Sequence, residues 1–466
     1  MKVMLATPPG HTTERWPPLG LLYIASNIKE SRGDEVKVVD AFCRDMQVDD
    51  LVEEVLSNRP DILGMNCSTH TFLDTIKVLA KVAESAPGIL IVLGGYHATF
   101  TAEKILRSYP FIDYILRGEA ELSFVGLLDA LENGRAPSDV DGIVYLDGEE
   151  VVERPAKPIE DLDSLPLIDR SMLNGVEYGY GIKGIPLTFG RFTTMTSSRG
   201  CPFNCSYCSC AALFHRRWRA RSTRSVVDEL EMLYDQGYEN VVLVDDNFTY
   251  DQKRTEEICD SLIDRKVRLR LYCEGRVANT SYPLLRKMKK AGFDVIYFGA
   301  ESALPKTLRF YHKNIRPEQV QEAVANAKKA GMIVIASFIL GAPIETEKDM
   351  ISTIDFIHRL RPHAVQLNIL DYLVGTPLWE EAVAQGSLDP DAWRTNHRVY
   401  ECYDVHSRER LESLVEKGYN TYIRSWKNLH GLIELCGLLF NNSTARRVVF
   451  CNLFNKNARS TIIDGW

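Results

Sequence analysis

The chain has 466 residues, 45% of them hydrophobic and 25% charged, with a formal net charge of −8. That length exceeds what one hydrophobic core can organise, so two or three domains are expected in an otherwise ordinary globular composition. The acidic balance argues against a generally basic nucleic-acid binder. No stretch approaches the roughly 18 uncharged apolar residues that a transmembrane segment needs. Eleven cysteines are too few for a disulfide scaffold, and four of them crowd into residues 201–210. This usage points to the reducing cytoplasm.

Residues 1–135 alternate short β-branched runs with amphipathic stretches. The runs Lys2–Thr7, Glu35–Ala41, Asp61–Cys67, Ile89–Gly95 and Tyr114–Gly118 predict buried parallel strands, and Leu19–Glu30, Asp49–Asn58 and Asp74–Ser85 predict helices between them. The N-terminal run stops at Pro8-Pro9 and is read as the first strand rather than a leader. Such βαβα punctuation predicts an α/β fold with a doubly wound open sheet, whose ligands sit beyond the carboxyl ends of the strands. The loops there carry Thr7-Pro8-Pro9-Gly10, Ser68-Thr69-His70-Thr71 and Gly94-Gly95-Tyr96-His97. No GxGxxG follows the first strand, so a dinucleotide is not indicated.

Residues 136–190 lose this rhythm, and their prolines and glycines predict a linker with one small hairpin near Gly142–Val152. Over residues 191–380 the alternation returns. Strands are predicted at Phe192–Ser197, Asn240–Asp245, Arg268–Cys273, Val295–Phe298, Ile333–Ile339 and Ala364–Leu370, with helices between them. Six such units predict a partial (β/α)6 barrel. Residues 381–466 read as a helical C-terminal cap, with helices near Arg408–Tyr422 and Leu429–Phe440. Trp393, Tyr400, Tyr403, Tyr419, Tyr422 and Trp426 offer large apolar faces with polar tips, either to close over an active cavity or to seat the tail on the barrel's outer helices.

The first barrel strand runs into Ser198-Arg199-Gly200-Cys201-Pro202-Phe203-Asn204-Cys205-Ser206-Tyr207-Cys208. Three thiolates at CxxxCxxC spacing can wrap three irons of a 4Fe–4S cubane and leave the fourth open. An open position is what catalysis needs. Structural zinc is the alternative, with Cys210 or His215 completing a tetrahedron. Gly200, Pro202 and Asn204 make the segment a turn rather than core, and Cys210 is read as outside the set.

This loop, with an aromatic before its last cysteine, resembles the signature of the radical S-adenosylmethionine (SAM) superfamily. The resemblance implies that Cys201, Cys205 and Cys208 hold the cluster and that SAM chelates the open iron. It further implies SAM contacts from Tyr207, Glu274, Arg276, Gly299, Glu301, Ser302, Ser337 and Gly341; Gly299-Ala300-Glu301 resembles the family's GE motif. Arg216–Arg224, Val244–Phe248 and Leu340–Pro343 match further signatures in order. A solvated helix start explains the first of these equally well, and a plain turn the last.

The N-terminal region is similar to the cobalamin-binding domain fused to one large class of these enzymes. Cobalamin contacts are thereby implied at Thr7, Pro8, Leu19, Gly20, Ser68, Thr69, His70, Thr71, Gly94, Gly95, His97, Thr99, Gly118 and Glu119. Glycines 94 and 95 would let the backbone approach a flat corrin. The DxHxxG of mutase-type domains is absent, so no histidine is assigned as cobalt's lower ligand. His70 is a loop histidine of either ligating or surface role.

The resemblance implies a cobalamin-dependent methyltransferase acting on an unactivated (sp3) carbon. One SAM would furnish the 5′-deoxyadenosyl radical and another would remethylate cobalamin, with methylcobalamin as methyl donor. Size and tail resemble archaeal C-methyltransferases that modify a glutamine of methyl-coenzyme M reductase; small molecules are the other substrate class. A ferredoxin or flavodoxin would supply electrons. The alternative is a cobalamin-dependent radical SAM cyclase or oxidoreductase acting on a tetrapyrrole or other small molecule. A methylthiotransferase on transfer RNA would need three further N-terminal cysteines, and only Cys43 and Cys67 precede residue 200.

Overall fold

A computed structural model describes residues 1–10, 15–173, 175–182, 185–188, 190–394 and 406–426. The chain forms two compact units. One comprises Met1–Glu177 with Ala212–His215 and Leu373–Arg398, and the other the remainder.

In the first unit the predicted alternation gives β1 (Lys2–Ala6), α1 (Leu19–Arg32), β2 (Glu35–Val39), α2 (Val48–Asn58), β3 (Ile62–Asn66), α3 (Phe72–Ser85), β4 (Leu90–Gly94), α4 (Tyr96–Ser108), β5 (Tyr114–Leu116) and α5 (Glu121–Glu132). The strand order is β2-β1-β3-β4-β5, all parallel. Strand order therefore reverses between β1 and β3, the crevice where open α/β sheets bind ligands. The hairpin expected in the linker is β6 (Ile143–Asp147) and β7 (Glu150–Glu153), which adds two antiparallel strands to the β5 edge of the same sheet. Val3, Met4, Leu5, Ile62, Leu63, Ile91, Val92 and Leu93 are all buried, as expected for strands covered on both faces.

The second unit starts with a short hairpin, β8 (Gly181–Ile182) and β9 (Ile185–Pro186), followed by β10 (Phe192–Met195) and the short strand β11 (Ser198–Arg199). Next come α6 (Ser209–Leu213), whose last two residues group with the first unit, β12 (Arg219–Ala220), α7 (Thr223–Asp235), β13 (Asn240–Leu243), α8 (Gln252–Asp264), β14 (Arg270–Gly275), α9 (Tyr282–Lys290) and β15 (Phe293–Glu301). After α10 (Pro305–Phe310) and α11 (Pro317–Lys329) come β16 (Ile333–Leu340), α12 (Glu347–Leu360) and β17 (Ala364–Ile369). The parallel order β10-β13-β14-β15-β16-β17 is the six-stranded partial barrel. Alternation along its strands sorts their two faces. Leu271, Cys273, Phe298, Ala300, Phe338, Leu340, Leu367 and Ile369 join the core beneath the helices. Tyr272, Glu274, Tyr297, Glu301, Ser337 and Gln366 fall on the opposite, inner face.

The tail divides. Helix α13 (Pro377–Ala384) and residues to Arg394 belong to the first unit, where Trp393 is fully buried. Helix α14 (Arg408–Trp426) lies on the barrel unit: Leu411, Leu414 and Val415 enter its core, and the Leu367 amide donates to the Tyr419 hydroxyl at 3.0 Å. Tyr422 donates to the Pro362 carbonyl at 2.9 Å. Aromatic burial thus seats α14 on β17 and α12. Tyr400, Tyr403 and the expected helix Leu429–Phe440 lie outside the described residues, as does the Trp426 side chain. No described helix is long and apolar enough to cross a membrane.

Candidate functional site

The cysteine loop leaves β10 and is anchored at its base by two aspartates after β13. Asp245 accepts from the Ser197 amide at 2.7 Å and from the Ser197 and Ser198 hydroxyls at 2.6 and 2.5 Å. Asp246 accepts from the Gly200 amide at 2.8 Å. Arg254 donates to the Ser197 carbonyl at 2.8 Å, and Arg221 to that of Thr196 at 3.1 Å. Arg221 also pairs with Glu229 in a buried contact. Within the basic stretch it is therefore a brace for the loop, while Arg216 and Arg224 are exposed.

Beyond Cys205 the loop is fastened to the segment after α10. The Ser206 amide and hydroxyl donate to the Tyr311 and Phe310 carbonyls, each at 3.0 Å. Tyr207 packs edge-on against Tyr311, with ring centroids 5.2 Å apart. Arg276 lies 3.7 Å over the Phe203 ring and donates to the Lys313 carbonyl.

Tyr207 donates to Glu301 Oε1 at 2.8 Å, and Lys313 Nζ meets that oxygen at 2.6 Å and the Tyr207 hydroxyl at 3.2 Å. Lys313 and Glu301 side chains are 11% and 5% exposed, so this ion pair is largely shielded from water. Glu301 ends β15 with φ +63° at a register shift against β16. A Cβ at Gly299 would displace the ends of the Glu301 and Lys313 side chains. Among the described residues Glu301 Oε2 makes no hydrogen bond. Burial, then the charge of Glu301, pushes the Tyr207 hydroxyl well above its ordinary range, so it stays a donor.

Other predicted SAM contacts are distributed unevenly. The Glu274 side chain is exposed, and desolvation, then the charge of Asp246, pushes its carboxyl up to about 7. Ser337, on the inner face of β16, accepts from Asn368 at 3.3 Å. Gly341 has φ +93°, and its amide donates to the buried Glu345 at 3.1 Å. Ser302 turns toward α12, its hydroxyl 3.3 Å from that of Thr353.

The chemistry of the donor set suits a cubane: three thiols on one short loop, Cys205 buried and Cys201 and Cys208 half-buried. Charge on Cys208 bears on both Cys201 and Cys205, and the described residues contain no group of three such side chains placed around a single metal ion. Burial raises Cys201 and Cys205, while Lys313 and Arg276 pull Cys205 back toward the thiolate a cluster takes. Cys210, read as outside the set, hydrogen-bonds Cys208 and so makes Cys208 the more acidic of the two.

In the first unit, most residues with predicted cobalamin contacts are engaged in building the loops. Thr7 donates to Asp40 at 3.1 Å and accepts from the Phe42 amide at 3.0 Å. Ser68 and Thr71 cap one another around a single 3-10 turn. Thr99 accepts from the Gly118 amide at 3.1 Å, and Glu119 from the Ile159 amide at 2.9 Å. Pro8 is buried, Leu19 half-buried, and Gly20 and His70 are exposed.

Gly94 tolerates a Cβ at ordinary contact distance, whereas Gly95 sits at φ +90° with Cys67 backbone atoms at 2.5 and 2.8 Å from where a Cβ would be. The constraint on Gly95 is thus met inside the protein, by the close approach of two strand ends. Gly95→Ala is expected to destabilise the first unit by about 3 kcal/mol or more through clash and left-handed backbone, measured as a lowered urea midpoint of that unit.

His97 is fully buried, with Nδ1 3.2 Å from the Thr69 hydroxyl and Nε2 lacking a hydrogen-bond partner among the described residues. Burial lowers its pKa to about 4. The folded state therefore resists a proton that the unfolded chain accepts below about 6.5. Stability is unaffected above that pH and falls as pH drops from about 6.5 toward 4, by on the order of 2–3 kcal/mol for this group. His97→Phe should flatten this part of the acid-unfolding curve, read by circular dichroism.

Lys313 was not identified from sequence; its neighbour His312 and the following Asn314, both at positive φ, mark a special turn only once dihedrals are seen.

The Radical SAM superfamily model matches residues 195–357, and the B12 binding domain model matches residues 9–128. An uncharacterized methyltransferase of Pyrococcus horikoshii is 33% identical, covering 95% of this chain and 97% of its own. The anaerobic magnesium-protoporphyrin IX monomethyl ester cyclase of Rubrivivax gelatinosus is also 33% identical, covering 76% of this chain and 65% of its own. Among solved structures, the radical SAM methyltransferase TsrM of Kitasatospora setae, with cobalamin and a [4Fe-4S] cluster bound, superposes with a TM-score of 0.70. It shares 19% identity and covers 82% of this chain and 78% of its own. A cysteine loop braced at the barrel's first strand, a B12 binding domain match ahead of it and 33% identity to a methyltransferase over nearly the whole of both chains together place the chain in the cobalamin-dependent radical SAM methyltransferase family.

Proposed function

We propose that the protein transfers a methyl group to an unactivated carbon, with Cys201, Cys205 and Cys208 holding a [4Fe–4S] cluster, and that cobalamin binds over the loops after β1, β3 and β4. When bound, these groups and SAM supply one-electron chemistry and a transferable methyl group. The observation carrying the reading is Glu301. Its strained backbone and its two Oε1 partners fix the carboxylate beside the cysteine loop, with Oε2 available for the amino group of SAM's methionine moiety. Tyr207 stays a donor and Lys313 a cation, so the pocket wall keeps one charge arrangement. Glu274 and Arg276, at the end of β14, are assigned to the SAM ribose or the substrate.

The near-complete mutual coverage with the Pyrococcus methyltransferase favours methyl transfer over ring closure. For the substrate, the resemblance in size and tail makes a glutamine of methyl-coenzyme M reductase the first candidate and small molecules the second. A cytoplasmic ferredoxin or flavodoxin is proposed as reductant. The test is reaction of reconstituted protein with trideuteromethyl-SAM in native extract. A product heavier by one trideuteromethyl group supports the reading; 5′-deoxyadenosine release with no labelled product over repeated turnovers favours the cyclase.

A further inference from the structure

Residues 373–394 belong to the first unit although they follow the last barrel strand in sequence. Gly375, at φ +79°, lies directly against the Phe100 ring of α4, leaving no room for a side chain. Thr376 caps α13 by accepting from the Trp379 amide at 3.2 Å, and Trp379 is buried. Lys104 of α4 reaches the Pro390 carbonyl at 3.5 Å. The segment ends at Trp393, whose indole is fully buried 5.8 Å from the Phe72 ring and 6.4 Å from the His97 ring.

Those two partners hold particular positions. Phe72 begins α3 directly after the Ser68–Thr71 turn, and His97 is the second residue of α4, directly after Gly94-Gly95. Their rings are 4.5 Å apart. The same two loops are joined by the Cys67 amide on the Gly94 carbonyl at 3.0 Å, by the Thr69 amide on the Tyr96 hydroxyl at 3.2 Å, and by Thr69 to His97. One indole therefore packs against the root of both loops, and it is supplied from nearly 300 residues further along the chain.

We propose that Trp393 is a positioning residue for the corrin: it holds the β3 and β4 loops at a fixed spacing, so the strap of residues 373–394 completes a platform that residues 1–135 alone leave loose. This rests on the cobalamin reading above. A rigid flat ligand binds tightly only to loops already set at its own spacing, and a gap behind them converts binding energy into loop ordering. Trp393 itself touches side chains rather than cofactor, so its effect is on affinity and not on the chemistry.

The test uses the full-length protein, with hydroxocobalamin as probe, at a temperature where circular dichroism shows every variant folded. Trp393→Ala should weaken hydroxocobalamin binding about tenfold or more, and Trp393→Phe should restore most of it by refilling the gap with an aromatic ring. Iron content should stay at the wild-type level in both. If Trp393→Ala does not fold, Trp393→Leu takes its place, with the same direction of change. Unaltered affinity in folded Trp393→Ala or Trp393→Leu, with only the urea midpoint lowered, would overturn the proposal in favour of a purely structural indole. Failure of the wild-type protein to bind hydroxocobalamin would remove the cobalamin reading itself, a result distinct from equal binding by wild type and variant.

Discussion

Replacing any one of Cys201, Cys205 and Cys208 by alanine should abolish the iron–sulfur absorbance and, with it, all reductive SAM cleavage. Three thiolates are the fewest that can hold a cubane with one iron left open, so loss of one leaves two protein ligands and a second exposed iron. Cys210 is the fourth thiol of this segment and already hydrogen-bonds Cys208. Cys210→Ala is therefore the informative companion. It should retain iron and cleavage, because the loop's fastening runs through Asp245, Asp246, Arg254 and the Ser206 bonds to Phe310 and Tyr311, none of which it disturbs. Iron and sulfide assays with chromatographic detection of 5′-deoxyadenosine decide it. Equal loss in Cys210→Ala would point to four-thiolate ligation and away from an open iron.

How much of this was readable before the structure follows from the range of the forces involved. Short β-branched apolar runs marked all eleven parallel strands, since each is buried by its own residues. The cysteine loop after β10 was readable because its pattern lies in contiguous spacing. Interactions between distant residues were not. Nothing local to Trp393 says that it will rest on Phe72 and His97, and its segment read as the start of a cap. Nor does a linker rich in proline announce that Ile143–Asp147 will extend the first sheet at the β5 edge. The double glycine at 94–95 was noticed for the right property and assigned to a ligand, whereas the space Gly95 needs is taken by the Cys67 backbone. Hydroxyls such as Thr7 and Thr99 looked available in sequence because their partners, Asp40, the Phe42 amide and the Gly118 amide, become neighbours only when the strands assemble.

Lys313→Met should lower SAM cleavage by about 100-fold or more, a loss of roughly 2.7 kcal/mol of barrier stabilisation, while leaving the three cysteines and their iron in place. The substitution keeps an apolar stem and removes only the ammonium that meets Glu301 and Tyr207. Glu301 would then be a buried carboxylate held by a single hydroxyl, free to swing away from the position proposed for SAM's amino group. Removing one partner of a buried pair typically costs about 3–5 kcal/mol of stability as well, so the variant's urea midpoint should fall. The two effects separate in the double variant Lys313→Met/Glu301→Gln, which has no unpaired charge: stability should recover while SAM cleavage does not. The wild-type Lys313 charge should also be insensitive to pH near neutrality. Burial opposes the Lys313 charge, but Glu301 and Cys205 outweigh it and leave its pKa above the ordinary 10.5. Its contribution to stability is then fully present below that value and lost only as pH rises through the raised one. Cleavage by Lys313→Met at the wild-type rate, with normal iron content, would show that Glu301 meets SAM without this cation and would confine the pair to holding the loop.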